Sequence, residues 1–160
     1  MNTSSPLPRR LSRVWLGLAL LAAVGAAPAA TSAAPAATLQ ARDAWVRWLP
    51  AGLPAAGYLT LVNPTDADRY LTAAASPDYA AVALHESYTT GHGDAGMRPV
   101  DKIRIPAHGE VRLAPGGYHL MLMQARHAIA PGDTVTVELK FDDGRSLPVS
   151  LPVKPAGQRE

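Results

Sequence analysis

From Asp43 onward the chain is written in short apolar or alternating segments, broken by turn residues at intervals of about 8–12 positions. Nine such segments read as β-strands: Ala44–Trp48, Gly57–Val62, Tyr70–Ala74, Ala80–His85, Val100–Ile105, Glu110–Leu113, Tyr118–Gln124, Thr134–Phe141 and Ser146–Val153. Asn63-Pro64, Ser76-Pro77, Pro115-Gly116-Gly117, Pro131-Gly132-Asp133 and Asp142-Asp143-Gly144 punctuate them. No segment carries a 3.6-residue apolar period. About nine short strands in one domain predict an all-β, antiparallel sandwich or barrel.

The first forty residues follow another rule. Arg9, Arg10 and Arg13 precede Val14–Ala27, an uncharged apolar run of fourteen residues. That is short for a membrane span of roughly 20 residues. It fits the apolar region of a secretory signal peptide, with small residues offering cleavage points between 27 and 37. The expected organisation is a signal peptide at 1–27, an Ala/Pro/Ser/Thr-rich flexible lead-in at 28–41, one β domain at 42–153 and a frayed tail at 154–160. No stable membrane anchor is expected after cleavage.

Removing the leader alters the charge reading. The chain has 15 Lys+Arg and 13 Asp+Glu, and the leader takes three arginines and no acid, leaving 12 against 13, a net charge of −1. A nucleic-acid partner is therefore not expected. The chain has no cysteine. An exported domain of this composition stands on its core without disulfides, and no residue here can carry a lipid on a processed N-terminal cysteine.

Beyond Met1 there are three methionines, and all lie in one stretch with histidine: His85, Met97 and His119-Leu120-Met121-Leu122-Met123. Alternation along a strand puts His119, Met121 and Met123 on one face and the leucines on the other. His85 ends its own predicted strand. The polar, glycine-rich loop from Glu86 to Gly96 could bring Met97 back toward it. Two histidines and two methionines then converge from two strand ends and a loop. Thioether sulfur suits Cu(I), and imidazole accepts Cu(I), Cu(II) and zinc. Zinc rarely takes methionine. Thioethers bind without losing a proton and release Cu(I) more readily than thiolates do, which suits a carrier.

At this point the chain resembles the periplasmic PCu(A)C-type copper chaperones. Their pattern is a His, a loop, a Met before Arg, then about twenty residues and a His-x-Met. Here Met97-Arg98-Pro99-Val100 matches the second element and His119-Leu120-Met121 the third. Ala44-Trp45-Val46-Arg47, Gly57-Tyr58-Leu59-Thr60-Leu61-Val62-Asn63, Leu84-His85-Glu86 and Gly132-Asp133-Thr134-Val135 extend the likeness over nearly the whole domain. One departure lies in the loop. The family commonly places ten residues between the His and the Met, and eleven separate His85 from Met97 here. The resemblance implies a cupredoxin-like Greek-key sandwich that binds one Cu(I) through His85, Met97, His119 and Met121. It implies delivery to the copper-accepting subunit and binuclear copper centre of cytochrome c oxidase, with a thioredoxin-like copper protein as a further partner.

Blander roles are expected for the remaining candidates. Met123 reads as packing. His92, between two glycines, reads as solvated, with capture of Cu(II) at a secondary site as its sharper alternative. His108 and His127 read as turn residues. Trp45 and Trp48 have opposite strand parity, so one should enter the core and the other be exposed or cover an edge. Arg98 either orients the loop, meets an acidic partner or is solvated. No nucleophile elbow, phosphate loop or zinc-protease motif is present, and blue-copper electron transfer needs a cysteine, so no catalytic residue is expected. Two rivals to delivery remain: copper sequestration for tolerance, and a β-sandwich interaction module that uses no metal.

Overall fold

The computed structural model describes residues 38–50 and 52–157. The signal peptide, the cleavage region and most of the lead-in lie outside these residues, as does the end of the tail. The described chain is all-β, with ten strands: β1 (Gln40–Arg47), β2 (Ala55–Asn63), β3 (Arg69–Ala75), β4 (Tyr79–Thr89), β5 (Ala95–Pro99), β6 (Ile103–Ile105), β7 (Gly109–Leu113), β8 (Tyr118–Ala125), β9 (Thr134–Phe141) and β10 (Ser146–Lys154).

All nine expected segments contain a strand, with β6 limited to Ile103–Ile105 and Val100–Lys102 left as a connection. The tenth, β5, falls partly in the stretch read as a loop. β4 continues to Thr89 and pairs with β5, so the stretch between His85 and Met97 is mostly a β-hairpin. Its tip is tied by Thr90 N–H to Asp94 O at 2.7 Å and Gly93 N–H to Thr90 O at 3.0 Å, with Gly93 at φ +89°. Two domain limits also move. Gln40 and Ala41 pair with Val62 and Leu61 inside β1, and Lys154 closes β10.

The strands follow the order β5-β4-β8-β2-β1-β10-β9-β3-β6, with β7 also on β2. Every pairing is antiparallel except β1 with β10, a parallel contact at Val46/Val153 and Arg47/Lys154 that joins one half of the sheet to the other. One core fills the space between the halves. Val46, Leu59, Leu61, Leu84, Leu120 and Leu122 from one half share it with Leu71, Ile103, Val137, Leu139, Phe141 and Leu151 from the other. Each buried leucine side chain contributes about 1.5–3 kcal/mol in area terms.

β2 is central and buried on both faces from Ala55 to Leu61. Gly57 allows β8 to approach closely. A Cβ at that position would lie 3.3 Å from Leu120 Cβ and 3.2 Å from Leu122 Cδ1. Asn63 ends the strand fully buried, donating to Ala67 O and Ile105 O and accepting from Thr65, so the Asn-Pro turn is pinned from inside.

β7 and β8 lie end to end along the same side of β2. The step between them is Ala114-Pro115-Gly116-Gly117, closed by Gly117 N–H to Ala114 O at 3.0 Å, with Gly116 at φ +87°. That step delivers the chain to Tyr118 and His119 in register with β4.

Candidate metal centre

Register fixes which side chains share the outer face of the sheet. Directly opposed residues of an antiparallel pair point the same way. His119 opposes His85, and Met121 opposes both Ala83 on β4 and Ala56 on β2. Met97 opposes Ser87, two residues beyond His85 and therefore on the same face. On the other side, Tyr58 opposes Trp45 and Ala56 opposes Arg47. The face away from the core thus presents Trp45 and Arg47, Tyr58, His119 and Met121, His85, and Met97 on five neighbouring strands.

The geometry brings three of the four expected residues to one cavity and sets His85 against one of them. Met97, His119 and Met121 line one cavity of about 260 Å³. The His85 and His119 rings meet edge to face, their centroids 5.8 Å apart. His119 is 3% exposed, whereas Met97 on the edge strand is 57% exposed. The site therefore has a buried imidazole floor and one thioether at the surface.

The two imidazoles are poised differently. His119 Nδ1 lies 3.1 Å from Gly117 O. A carbonyl only accepts, so Nδ1 carries a proton, and in the neutral ring the lone pair is on Nε2. The same backbone contact orients the ring, as is usual for ligating histidines. His85 Nδ1 is buried and has no hydrogen-bond partner. Such an orphan costs about 1–3 kcal/mol, and a metal ion would satisfy it. Burial, and then the neighbouring His119, hold His85 below the ordinary histidine range, which favours the neutral ring that a metal requires. Among the described residues no three His, Cys, Asp or Glu side chains converge. A site here must draw on methionine, and the donor set fits a soft monovalent ion better than zinc.

An aromatic layer backs the imidazoles. Tyr58 lies 6.5 Å from His119, and Trp45 lies 4.7 Å from Tyr58, both rings 3% exposed. With Ala56 they form a second small core on the outer face. Burial raises the Tyr58 hydroxyl above its ordinary range, opposed by the Arg47 guanidinium. Trp45 and Tyr58 were not foreseen as parts of the site. The signal was the largely apolar Ala55–Leu61 stretch of β2, interrupted only by Thr60, which marks a strand covered on both faces. Trp48 is half-buried against the main core and donates to Ile129 O at 2.7 Å, so neither tryptophan is exposed.

The remaining candidates lie elsewhere. Met123 is on the same face as Met121 but lines a different cavity, with Trp48, Tyr79 and His127. His92 is at the exposed hairpin tip, outside the cavity shared by Met97, His119 and Met121. His108 is a turn residue at φ +52° held by Asp66 at 2.8 Å. His127 meets Asp78 at 3.0 Å, and that hydrogen bond is the main cause holding its imidazole above the ordinary range. Arg98 donates to Glu86 from Nε at 3.0 Å and Nη2 at 2.6 Å, bracing the two strands of the hairpin.

Known proteins share this architecture. Residues 39–153 match the family described as "Putative lipoprotein LpqE-like". A relative from Leifsonia xyli subsp. xyli (strain CTCB07), "Putative lipoprotein Lxx21020", is 33% identical over 116 residues, which span 72% of this chain and 69% of the relative. The solution structure of CuI-DR1885 from Deinococcus radiodurans is 36% identical, with a TM-score of 0.56 over 79% of this chain and 83% of that one. The copper-bound PCuAC domain from PmoF2 has a TM-score of 0.61 over 76% of this chain and 97% of that domain. At 22% identity it speaks for the fold alone. The chain belongs to the LpqE-like family, and its domain has the cupredoxin-like fold of the PCuAC domains.

Proposed function

We propose that this protein is a Cu(I) carrier that binds one ion per chain through His85, Met97, His119 and Met121, and delivers it to the copper-accepting subunit of cytochrome c oxidase. The observation that carries the reading is the meeting of Met97, His119 and Met121 on one cavity, with His85 against His119. The 36% identical relative is itself described as a Cu(I) form, which supports the same cargo here.

The donor set suits reversible holding. Two imidazoles in their neutral form and two thioethers bring no negative charge, and no thiol has to lose a proton on binding. Met97, at the exposed edge of β5, is the donor an incoming ligand displaces first. His119, buried and oriented by Gly117, leaves last. Exchange then proceeds by stepwise ligand replacement at constant oxidation state, with an acceptor thiolate replacing a thioether. Such a thiolate belongs to the oxidase subunit or to a thioredoxin-like copper protein. The role is transport, not catalysis. The secretory pattern of residues 1–27 and the lipoprotein description of the relatives agree with a periplasmic location. These 160 residues contain no cysteine to lipidate. His92 on the hairpin tip is the candidate for a secondary Cu(II) contact.

The delivery reading is tested in a deletion strain grown at limiting copper. Oxidase activity and copper content should fall, and added copper should restore both. Normal oxidase metallation together with lost copper tolerance would contradict delivery and identify a sequestering protein instead.

A further inference from the structure

The cavity that Met97, His119 and Met121 line also contains a group that copper binding does not use. Arg47 lines it, and Arg47 Nε is buried with no hydrogen-bond partner. Its guanidinium sits 5.6 Å from the Tyr58 ring centroid. The neighbouring Lys154, across the parallel pairing, lies over the Trp45 ring at 5.3 Å and lines a different cavity. Among the described residues that line the cavity there is no carboxylate. Most of its wall is apolar, from Leu49, Leu53, Pro54, Ala56 and Pro115. A buried donor on a charged group without an acceptor is costly, and a ring face compensates it only in part.

We propose that Arg47 and this cavity form a carboxylate-binding pocket that receives an acidic side chain, flanked by apolar residues, from the protein that exchanges copper with this one. Only the identity of that occupant rests on the carrier reading; the pocket itself does not. Three features select the ligand. Arginine presents planar donors that match a carboxylate. A single cation in the wall suits one negative charge better than a phosphate carrying nearly two. The rim is apolar and uncovered: Leu53 is 59% and Met97 57% exposed, and both border the cavity. A free small acid would leave that rim in water, whereas a protein segment with apolar neighbours beside its acid covers it. Seated there, the acid also sets the partner against Met97, the most exposed of the four proposed ligands.

The test uses the copper-free protein and two probes that differ only in charge, butyrate and butyramide. Butyrate should shift the Arg47 Nε–Hε resonance and the Ala56 and Tyr58 amides saturably, with a dissociation constant on the order of millimolar. Butyramide should not. Arg47→Gln should abolish the response, and Arg47→Lys should weaken it about tenfold, because a point charge replaces the planar fork. N-acetyl-Leu-Glu-Leu-amide should bind at least about tenfold more tightly than butyrate, and its Gln analogue should lose that gain. Equal shifts with butyramide, or an unchanged butyrate response in both Arg47 variants, would overturn the pocket. A peptide that binds no better than butyrate would overturn the protein side chain as its occupant. Wild-type protein that binds Cu(I) normally yet ignores butyrate refutes the pocket alone. Wild-type protein that answers butyrate but binds no Cu(I) refutes the carrier reading alone.

Discussion

Replacing His119 and Met121 together by alanine should lower Cu(I) affinity by about three orders of magnitude, roughly 4 kcal/mol. In the proposed site this pair supplies the buried, oriented imidazole of His119 and the half-buried thioether of Met121. His119 is 3% exposed and its Nδ1–H is held by Gly117 O, so Nε2 meets the ion without reorganisation. Met121 follows two residues later on the same face of β8 and lines the same cavity. Without them, only His85 and the exposed Met97 remain. Met97→Ala alone should cost less, about tenfold, because a flexible edge thioether contributes less than an oriented buried donor. Competition with a chromophoric Cu(I) chelator measures all three proteins. An affinity in the double variant equal to wild type would remove β8 from the site. Far-UV circular dichroism checks that the strand is intact, since both side chains lie outside the main core.

The second large effect concerns the other face of the same strand. Leu120→Ala should destabilise the protein by about 3 kcal/mol, since Leu120 is fully buried and leaves a cavity between the two halves of the sheet. For a domain of this size that lowers the melting temperature by about 10 °C. Leu53→Ala, at a residue 59% exposed, should change stability by less than about 0.5 kcal/mol. Thermal or denaturant unfolding of the copper-free proteins compares them. Leu120→Ala should also weaken Cu(I) binding, because residue 120 fixes the placement of its neighbours 119 and 121. Equal stability of the two leucine variants would contradict the assignment of faces on β8, and with it the direction in which His119 and Met121 point.

Much of this was legible in the chain. Nine strands could be read because each carries a buried face written as alternation, or a run bounded by Gly, Pro, Asn or Asp. His119-x-Met121 was legible for the same reason: the intervening Leu120 claims the core, and parity sends its neighbours outward. β5 was not legible. The hairpin from Glu86 to Pro99 extends past the main core with mostly exposed side chains, so no buried face marks its register, and its glycines resemble a loop. The eleven residues between His85 and Met97 lost significance once paired. The ladder sets Met97 opposite Ser87, and that register, not the loop length, puts the thioether on the imidazole face. The parallel contact of β1 with β10 joins residues about a hundred positions apart and leaves no local trace. The Trp45–Tyr58 layer was hidden differently. β2 is covered on both faces, so the only alternation in it is the weak one of Tyr58 and Thr60 with Leu59 and Leu61, which does not announce a second buried layer.

Proteins that bind through side chains on one sheet face need that face both rigid and reachable. Here rigidity comes from the aromatic layer and the Gly117 contact, while access comes from β5, held by the Arg98–Glu86 pair. In the proposed carrier this division would place the oriented donor inside and the exchangeable donor at the edge.

X-ray absorption at the copper edge of the Cu(I)-loaded protein reads the donor set itself. One ion per chain with two sulfur and two nitrogen neighbours would support His85, Met97, His119 and Met121 as the site. A copper environment without sulfur, or one unchanged in the His119→Ala/Met121→Ala variant, would contradict it.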